Sequence, residues 1–396
     1  MIRLYLTREE ERVYDGERGW ARQMCMRIIA KLGDLFGADK LIPVESAHVS
    51  GVSYKTIGDN ASDFLKSLAD AGGKIKVGAT LNPQGSDSEY LEKHLPKQLV
   101  EKQSNILKQF ERMGFALSLT CTPYYLKKPS KCAHLAWAES SAIVYANSIL
   151  GAWTNREGGP SALASAIVGK TPDYGVHRAE NRIPKVLVNV NAKLENESAF
   201  GALGIYLGKL LKAKIPLIQG LGKPSETDLK QLSAALAASG MVNMFHRDQD
   251  NLPTKMKDAE KVTVEAKDIH RTAEELSTAS TKKPDLVFIG CPHCSLNEIR
   301  RIAHFMKGKK VKTGLEFWVC TSPYVKEKAR NYVKQIGHSG GHVLAGVCTI
   351  VSWTEKLGIK TIMTNSAKTA FYAPTMNKAE TILAPTSDCL KMALQG

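Results

Sequence analysis

Four cysteines occupy positions where a parallel α/β protein keeps its chemistry. Cys121 follows the apolar run 115–120, Cys291 follows 286–290, and Cys320 follows 315–319. Each run reads as a short buried strand. Cys348 closes a glycine-rich stretch that begins Ser339-Gly340-Gly341. Ligands of open parallel sheets bind beyond the carboxyl ends of the strands. Core cysteines have no reason to prefer those ends, so the placement points to a site. Three thiolates on distant loops suit an iron–sulfur cluster better than zinc. A cubane held by three cysteines leaves one iron open, and that iron can act as a Lewis acid on a substrate hydroxyl and carboxylate. The cysteine positions alone therefore suggest a dehydratase or lyase. They leave four candidate ligands, and spacing does not choose among them.

The motif Cys291-Pro292-His293-Cys294 has redox-pair or half-zinc-site spacing. A zinc site would need a second close pair, and a thioredoxin-like motif a short domain around it; the chain offers neither. Cys25, Cys132 and Cys389 read as structural. Cys121-Thr122-Pro123-Tyr124 echoes Cys320-Thr321-Ser322-Pro323-Tyr324, by duplication or by chance.

Several polar loops could hold a substrate. His48-Val49-Ser50-Gly51-Val52-Ser53 follows an expected strand over 40–44, and its amides and hydroxyls could cradle an oxyanion. Asn82-Pro83 follows an expected strand over 76–79 and has turn chemistry. Glu139 and Ser140 stand before an apolar helix, either as site residues or as a cap. Arg156 lies in the polar loop 154–160 and could clamp a carboxylate or phosphate. Lys368 follows an expected strand over 360–364 and is a candidate cation.

These loops need strands and helices to position them, and the pattern supplies both. Strands are expected over 185–190, 215–218, 286–289, 315–319 and 360–364, with helices over 198–211, 225–238, 299–305 and 323–336. This alternation predicts mostly parallel sheets covered by helices, an α/β protein. The length of 396 residues fits two or three domains or one large α/β body. The most polar stretch, 247–283, is the best candidate for an internal boundary. The eight cysteines are too few and too scattered for a disulfide scaffold. The charged N-terminus carries no apolar signal segment, and no apolar run is long enough to span a bilayer, so a cytoplasmic protein without a membrane partner is expected. A net charge of +15 calls for an anionic partner. The basic residues are dispersed without interleaved aromatics, which disfavours nucleic acid. Neither GxxxxGK[ST] nor a strand-linked GxGxxG occurs.

Taken together, the motifs resemble the catalytic region of the aconitase X family. The matching segments are Tyr5-Leu6-Thr7, His48-Val49-Ser50-Gly51-Val52-Ser53, Asn82-Pro83, Thr120-Cys121-Thr122-Pro123-Tyr124 and Trp137-Ala138-Glu139-Ser140-Ser141. They continue with Ala146-Asn147-Ser148, Thr154-Asn155-Arg156-Glu157-Gly158-Gly159-Pro160, Gly290-Cys291-Pro292-His293 and the glycine-rich loop into Cys348. Each motif is weak alone; together, in order along nearly the whole chain, they are specific.

The resemblance implies an aconitase-like catalytic body: several α/β/α units with mostly parallel sheets around a central cluster site. It implies a hydro-lyase with a large catalytic part and a small swivel part. Members with both parts fused act on cis-3-hydroxy-L-proline. Members divided over two chains convert (R)-5-phosphomevalonate to trans-anhydromevalonate 5-phosphate and water, using a [4Fe-4S] cluster, in a modified mevalonate route to isoprenoids. Residues 1–396 then read as the catalytic region alone. The swivel domain is expected on a separate small subunit, in a heterodimer or higher assembly. The family pattern assigns the cluster to Cys121, Cys291 and Cys348 and makes Cys320 a structural echo. It places Gly51, Val52, Ser53, Asn82, Pro83, Glu139, Ser140 and Lys368 in or near substrate-contacting motifs. The proton-abstracting base is expected on the swivel part, so no catalytic base is assigned in this chain. The positive charge suits a phosphorylated hydroxy-acid substrate. The rival readings are a dehydratase of another hydroxy acid, such as cis-3-hydroxy-L-proline, and a non-catalytic iron–sulfur sensor that binds RNA.

Overall fold

A computed structural model describes residues 4–87, 89–248, 259–281 and 283–395. The chain divides into two compact units. The first comprises Met1–Gln84 and Lys97–Ile183, the second Gly85–Pro96 and Pro184–Gly396. The expected boundary region 247–283 falls in part outside the described residues.

The first unit is built on a three-stranded parallel sheet. Ser46–Val49 lies between Gly78–Leu81 and Leu135–Trp137. Helices Trp20–Leu35, Tyr54–Asp70, Lys97–Arg112 and Gly159–Val168 supply residues to its apolar core, among them Ile29, Leu68, Ile106 and Ile167. A separate antiparallel pair joins Leu41–Pro43 to Lys170–Pro172. Two sequence expectations change here. The strand that delivers the Ser50-Gly51 loop is Ser46–Val49, so His48 lies inside a strand. The run 115–120 forms no strand. Leu119 adopts a positive φ of 38°, which breaks a ladder. The run is tied to Gly78–Leu81 by the Ser118 hydroxyl, which accepts from the Leu81 amide, and by the Thr120 amide, which donates to the Leu81 carbonyl.

The second unit carries two parallel sheets. One orders its strands His246–Arg247, Pro216–Gln219, Val186–Asn191, Glu260–Glu265. The other orders them His342–Ala345, Glu316–Thr321, Leu286–Ile289, Thr361–Thr364, Glu380–Leu383. The inner strands are apolar because both faces are covered; Leu286–Ile289 is buried at every position. Two crossover helices open on capping boxes. Ser225 and Asp228 form a capping box on Glu226–Ser239, and Ser295 and Glu298 form another on Leu296–Met306. The helix expected over 323–336 is two helices, Pro323–Lys328 and Arg330–His338. In both echo segments a proline opens a short helical turn, at Pro123–Tyr125 and Pro323–Lys328. Among the described residues, no helix is long and apolar enough to cross a membrane.

Gly290 links Leu286–Ile289 to Cys291 and has φ +126°. A Cβ there would meet the Cys320 carbonyl oxygen at 2.4 Å. Gly290→Ala is therefore expected to destabilise the second unit by roughly 2–4 kcal/mol, from strain and collision together. Urea denaturation checks this; a midpoint equal to the wild type refutes it.

Candidate active site

In the first unit, the three parallel strands end together and their loops carry the expected residues. Ser46–Val49 runs into Gly51, Val52 and Ser53; Gly78–Leu81 runs into Asn82 and Pro83; Leu135–Trp137 runs into Glu139 and Ser140. Gly51 has φ 81°, which lets the loop turn into the helix Tyr54–Asp70. Val52 points its side chain into the core at 1% exposure, so it offers a ligand backbone only. The Gln103 side chain holds this turn, donating to the Val52 carbonyl at 2.9 Å and accepting from the Tyr54 amide at 3.0 Å.

Asn82 and Glu139 come into direct contact. The Asn82 amide donates to Glu139 Oε2 at 3.0 Å. The other oxygen of Glu139 accepts from the Ser141 amide and hydroxyl at 3.2 and 2.8 Å. Glu139 thus caps the helix Ser140–Tyr145, as one of its two sequence readings has it, and also contacts the Asn82 loop. Cys121 leaves the same end of the sheet, one residue after the Thr120–Leu81 bond, at 9% exposure. Thr120 fixes its turn by accepting from the Thr122 amide at 3.0 Å.

The loop 154–160 is set by a buried network. Asn147 donates to the Thr154 carbonyl and accepts from the Thr154 amide, at 2.9 and 3.0 Å. Arg182 donates to the Asn147 side chain and to the Asn147, Ala152 and Val176 carbonyls, and its guanidinium lies 4.6 Å from the Trp153 ring centre. Burial pulls its pKa down to about 10, still far above neutrality. Glu157 is buried, and desolvation raises its pKa against the pull of Ser161 and Thr171. Arg156 is half-buried in the same loop.

In the second unit, Cys291, Cys348 and Lys368 all follow strands of the five-stranded sheet at its carboxyl end. Cys320 does not: it lies inside Glu316–Thr321, fully buried. Burial drives its thiol pKa far up, which suits a core residue. Cys294 behaves the same way. Cys291 is 7% exposed and Cys348 more open. Lys368 is half-buried in the first turn of Ala367–Met376.

The loops bearing Cys291 and Cys348 are held by side chains from elsewhere. Gln231 donates to the Cys291 carbonyl at 3.1 Å. Lys230, buried, donates to the His293 carbonyl at 3.1 Å and pairs with Glu298 at 2.6 Å. His293 Nε2 lies 2.8 Å from the Val347 carbonyl and so donates to it, joining the two loops. Asn377 donates to the Thr349 carbonyl just beyond Cys348, at 3.0 Å. Sequence reasoning missed Gln103, Arg182, Lys230, Gln231 and Asn377. None is near a site motif in the chain, and each acts through backbone it reaches only in the fold.

All eight cysteines are thiols and not disulfides. Among the described residues, no three His, Cys, Asp or Glu side chains are gathered tightly enough for a metal ion. A single ion needs such a gathering; a cluster separates its thiolates more widely. In each unit the loop thiols, Cys121 in the first and Cys291 and Cys348 in the second, are soft donors on backbone pinned by hydrogen bonds, a chemistry that fits an iron–sulfur group.

Three family models cover the chain: the aconitase X first domain over residues 3–180, the second over 184–274 and the third over 284–395. The phosphomevalonate dehydratase large subunit of Methanocaldococcus jannaschii is 44% identical, over 98% of this chain and 100% of its own. The cis-3-hydroxy-L-proline dehydratase of Pseudomonas aeruginosa is 30% identical, over 96% of this chain but 68% of its own. The crystal structure of Thermococcus kodakaraensis aconitase X, described as the holo-form, superposes with a TM-score of 0.90 at 40% identity, covering 98% of this chain and 100% of that one. The residues at the strand ends, the parallel architecture and these matches agree, and the chain belongs to the aconitase X family.

Proposed function

We propose that this chain is the large, catalytic part of a two-chain hydro-lyase that dehydrates (R)-5-phosphomevalonate to trans-anhydromevalonate 5-phosphate. The observation that carries the reading is the degree of identity. Relatives named as phosphomevalonate dehydratase large subunits are 37–44% identical to this chain, whereas the hydroxyproline enzymes are 28–30% identical. A small swivel-domain subunit is the partner, and the cytoplasm is the setting.

Cys121, Cys291 and Cys348 would hold a [4Fe-4S] cluster. When bound, such a group supplies a Lewis-acidic iron that makes a substrate hydroxyl a better leaving group. The chain's own residues do the rest of the work on this side. The turn at Gly51, Val52 and Ser53 offers backbone amides to an anionic oxygen. Asn82, in the turn with Pro83, adds a side-chain amide donor. Glu139, pinned by Asn82 and Ser141, sets the polar floor with Ser140 beside it. Lys368 brings positive charge for a carboxylate or phosphate. The base that takes the C2 proton belongs to the small subunit.

Co-expression with the small subunit, anaerobic purification, iron and sulfide analysis and a two-substrate assay test this. The complex is expected to contain iron and sulfide and to dehydrate (R)-5-phosphomevalonate, with the large chain alone inactive. Turnover of cis-3-hydroxy-L-proline in its place would transfer the reading to the other dehydratases.

A further inference from the structure

The loops at the end of the three-stranded sheet stand on a polar chain that starts inside the sheet. His48 is 0% exposed in the strand Ser46–Val49, in register with Thr80 on one side and Trp137 on the other. Its Nδ1 lies 2.7 Å from Thr80 Oγ1, and its Nε2 lies 3.3 Å from Asn82 Oδ1. Asn82 in turn donates to Glu139, which is held on its other oxygen by Ser141.

The donors and acceptors in this chain favour one assignment, because the other acceptor within reach of the Thr80 hydroxyl, the Ala47 carbonyl, is farther off at 3.5 Å than His48 Nδ1 at 2.7 Å. Glu139 bonds as an acceptor to every partner just named, so Asn82 must turn its NH₂ toward it. The Asn82 carbonyl oxygen then faces His48 and needs a donor. His48 Nε2 therefore carries the ring proton, and Nδ1 accepts from the Thr80 hydroxyl. Every dipole runs from Thr80 toward Glu139. Burial pushes the His48 pKa down to about 4, against the pull of Glu139, so the ring stays neutral and keeps a single N–H.

We propose that His48 is a positioning residue for the dehydration. As the Nε2–H tautomer it fixes the orientation of the Asn82 amide, and through that amide it fixes the carboxylate of Glu139. The proposal rests on the reading of Asn82 and Glu139 as substrate contacts. It assigns His48 no contact with substrate. An aromatic ring without polar atoms at position 48 would leave the Asn82 carbonyl without its donor. The amide could then turn its oxygen toward Glu139, where two acceptors repel.

Two experiments on the two-chain complex test this. The first is kinetic, run on whichever of the two hydroxy acids the wild-type complex dehydrates. His48→Phe is expected to lower kcat about 10- to 100-fold with KM changed by less than about threefold, the loss of one or two positioned hydrogen bonds. His48→Gln, whose amide can donate to Asn82, is expected to recover to within about fivefold of the wild type. The double variant His48→Phe/Asn82→Ala should be no slower than Asn82→Ala, because His48 acts only through Asn82. Multiplying single effects, or a His48→Phe enzyme of full activity, would overturn the proposal. The second experiment is ¹⁵N NMR of the complex labelled at histidine. The His48 signal, identified by its absence from the His48→Gln complex, is expected to show a ring protonated at Nε2 and untitrated down to about pH 5; protonation of that ring at Nδ1 would overturn the proposal even if His48→Phe folds poorly. The NMR result needs no substrate, so it stands or falls separately from the assignment of phosphomevalonate.

Discussion

Cys121→Ala is expected to lose the visible absorbance of the iron–sulfur cluster and the dehydratase activity together, with activity down at least about a thousandfold. A three-thiolate site has no spare ligand, and alanine supplies none. Cys291→Ala and Cys348→Ala should behave alike. The informative comparison is with Cys320. It lies inside a strand, fully buried, with its thiol pKa driven up by desolvation. Cys320→Ala should keep the cluster and cost about 1–2 kcal/mol of stability from the small void it leaves. Cys132→Ala, at an exposed position, should change neither property. Visible absorbance, iron and sulfide content, and activity on the same anaerobic samples decide the matter. A Cys121→Ala protein that keeps both cluster and turnover would remove Cys121 from the ligand set. Loss of the cluster in Cys320→Ala with retention in Cys348→Ala would exchange those two residues.

Lys230→Met is expected to destabilise the second unit by about 3–5 kcal/mol, a fall in its melting temperature on the order of 10 °C. The side chain is 1% exposed and its ammonium lies 2.6 Å from Glu298. Methionine would leave the Glu298 carboxylate with the Ser295 amide and hydroxyl, and no cation. A buried charge stripped of its partner costs far more than the pair contributes. Lys230→Met/Glu298→Leu, which removes both charges, should therefore be more stable than Lys230→Met alone. The effect should also reach the site. Lys230 holds the His293 carbonyl, so its loss should free the Cys291 loop and speed alkylation of the Cys291 thiol. Calorimetry and mass-resolved thiol labelling test both parts. A single variant within about 1 kcal/mol of the wild type would show that the pair carries no such load.

Much of the fold is legible in the chain because local rules and tertiary demands agree there. The apolar run Leu286–Ile289 is buried on both faces, as a central parallel strand must be. Ser225 with Asp228 reads as a helix start and is one. Where local pattern misleads, a specific interaction is responsible. The run 115–120 is apolar enough for a strand, yet Leu119 at positive φ and the side-chain bond from Ser118 hold it outside the ladder. Cys320 looked like a loop residue because apolar runs do not mark their last residue; pairing with His342–Ala345 carries the strand through Thr321. Residues 85–96 follow the Asn82-Pro83 loop directly but fold into the second unit, where Tyr90 donates to Glu316 at 2.9 Å and stacks on His342. No local pattern predicts that a short segment leaves one unit for another.

The sequence by itself determined the family, the α/β class and the motif loops, because residue types with special chemistry keep their order and spacing whatever surrounds them. Of the three cysteines read as structural, Cys25 and Cys389 are buried and Cys132 is exposed, so Cys132 is no core filler. Only the tertiary structure decided which strands present those loops, which carbonyls Lys230, Gln231 and Arg182 hold, and which way the Thr80–His48–Asn82–Glu139 chain is polarised. Hydrogen bonds between residues 32 to 63 positions apart leave no local periodicity to read. Their direction follows from burial, which holds a ring neutral and requires each donor to meet an acceptor.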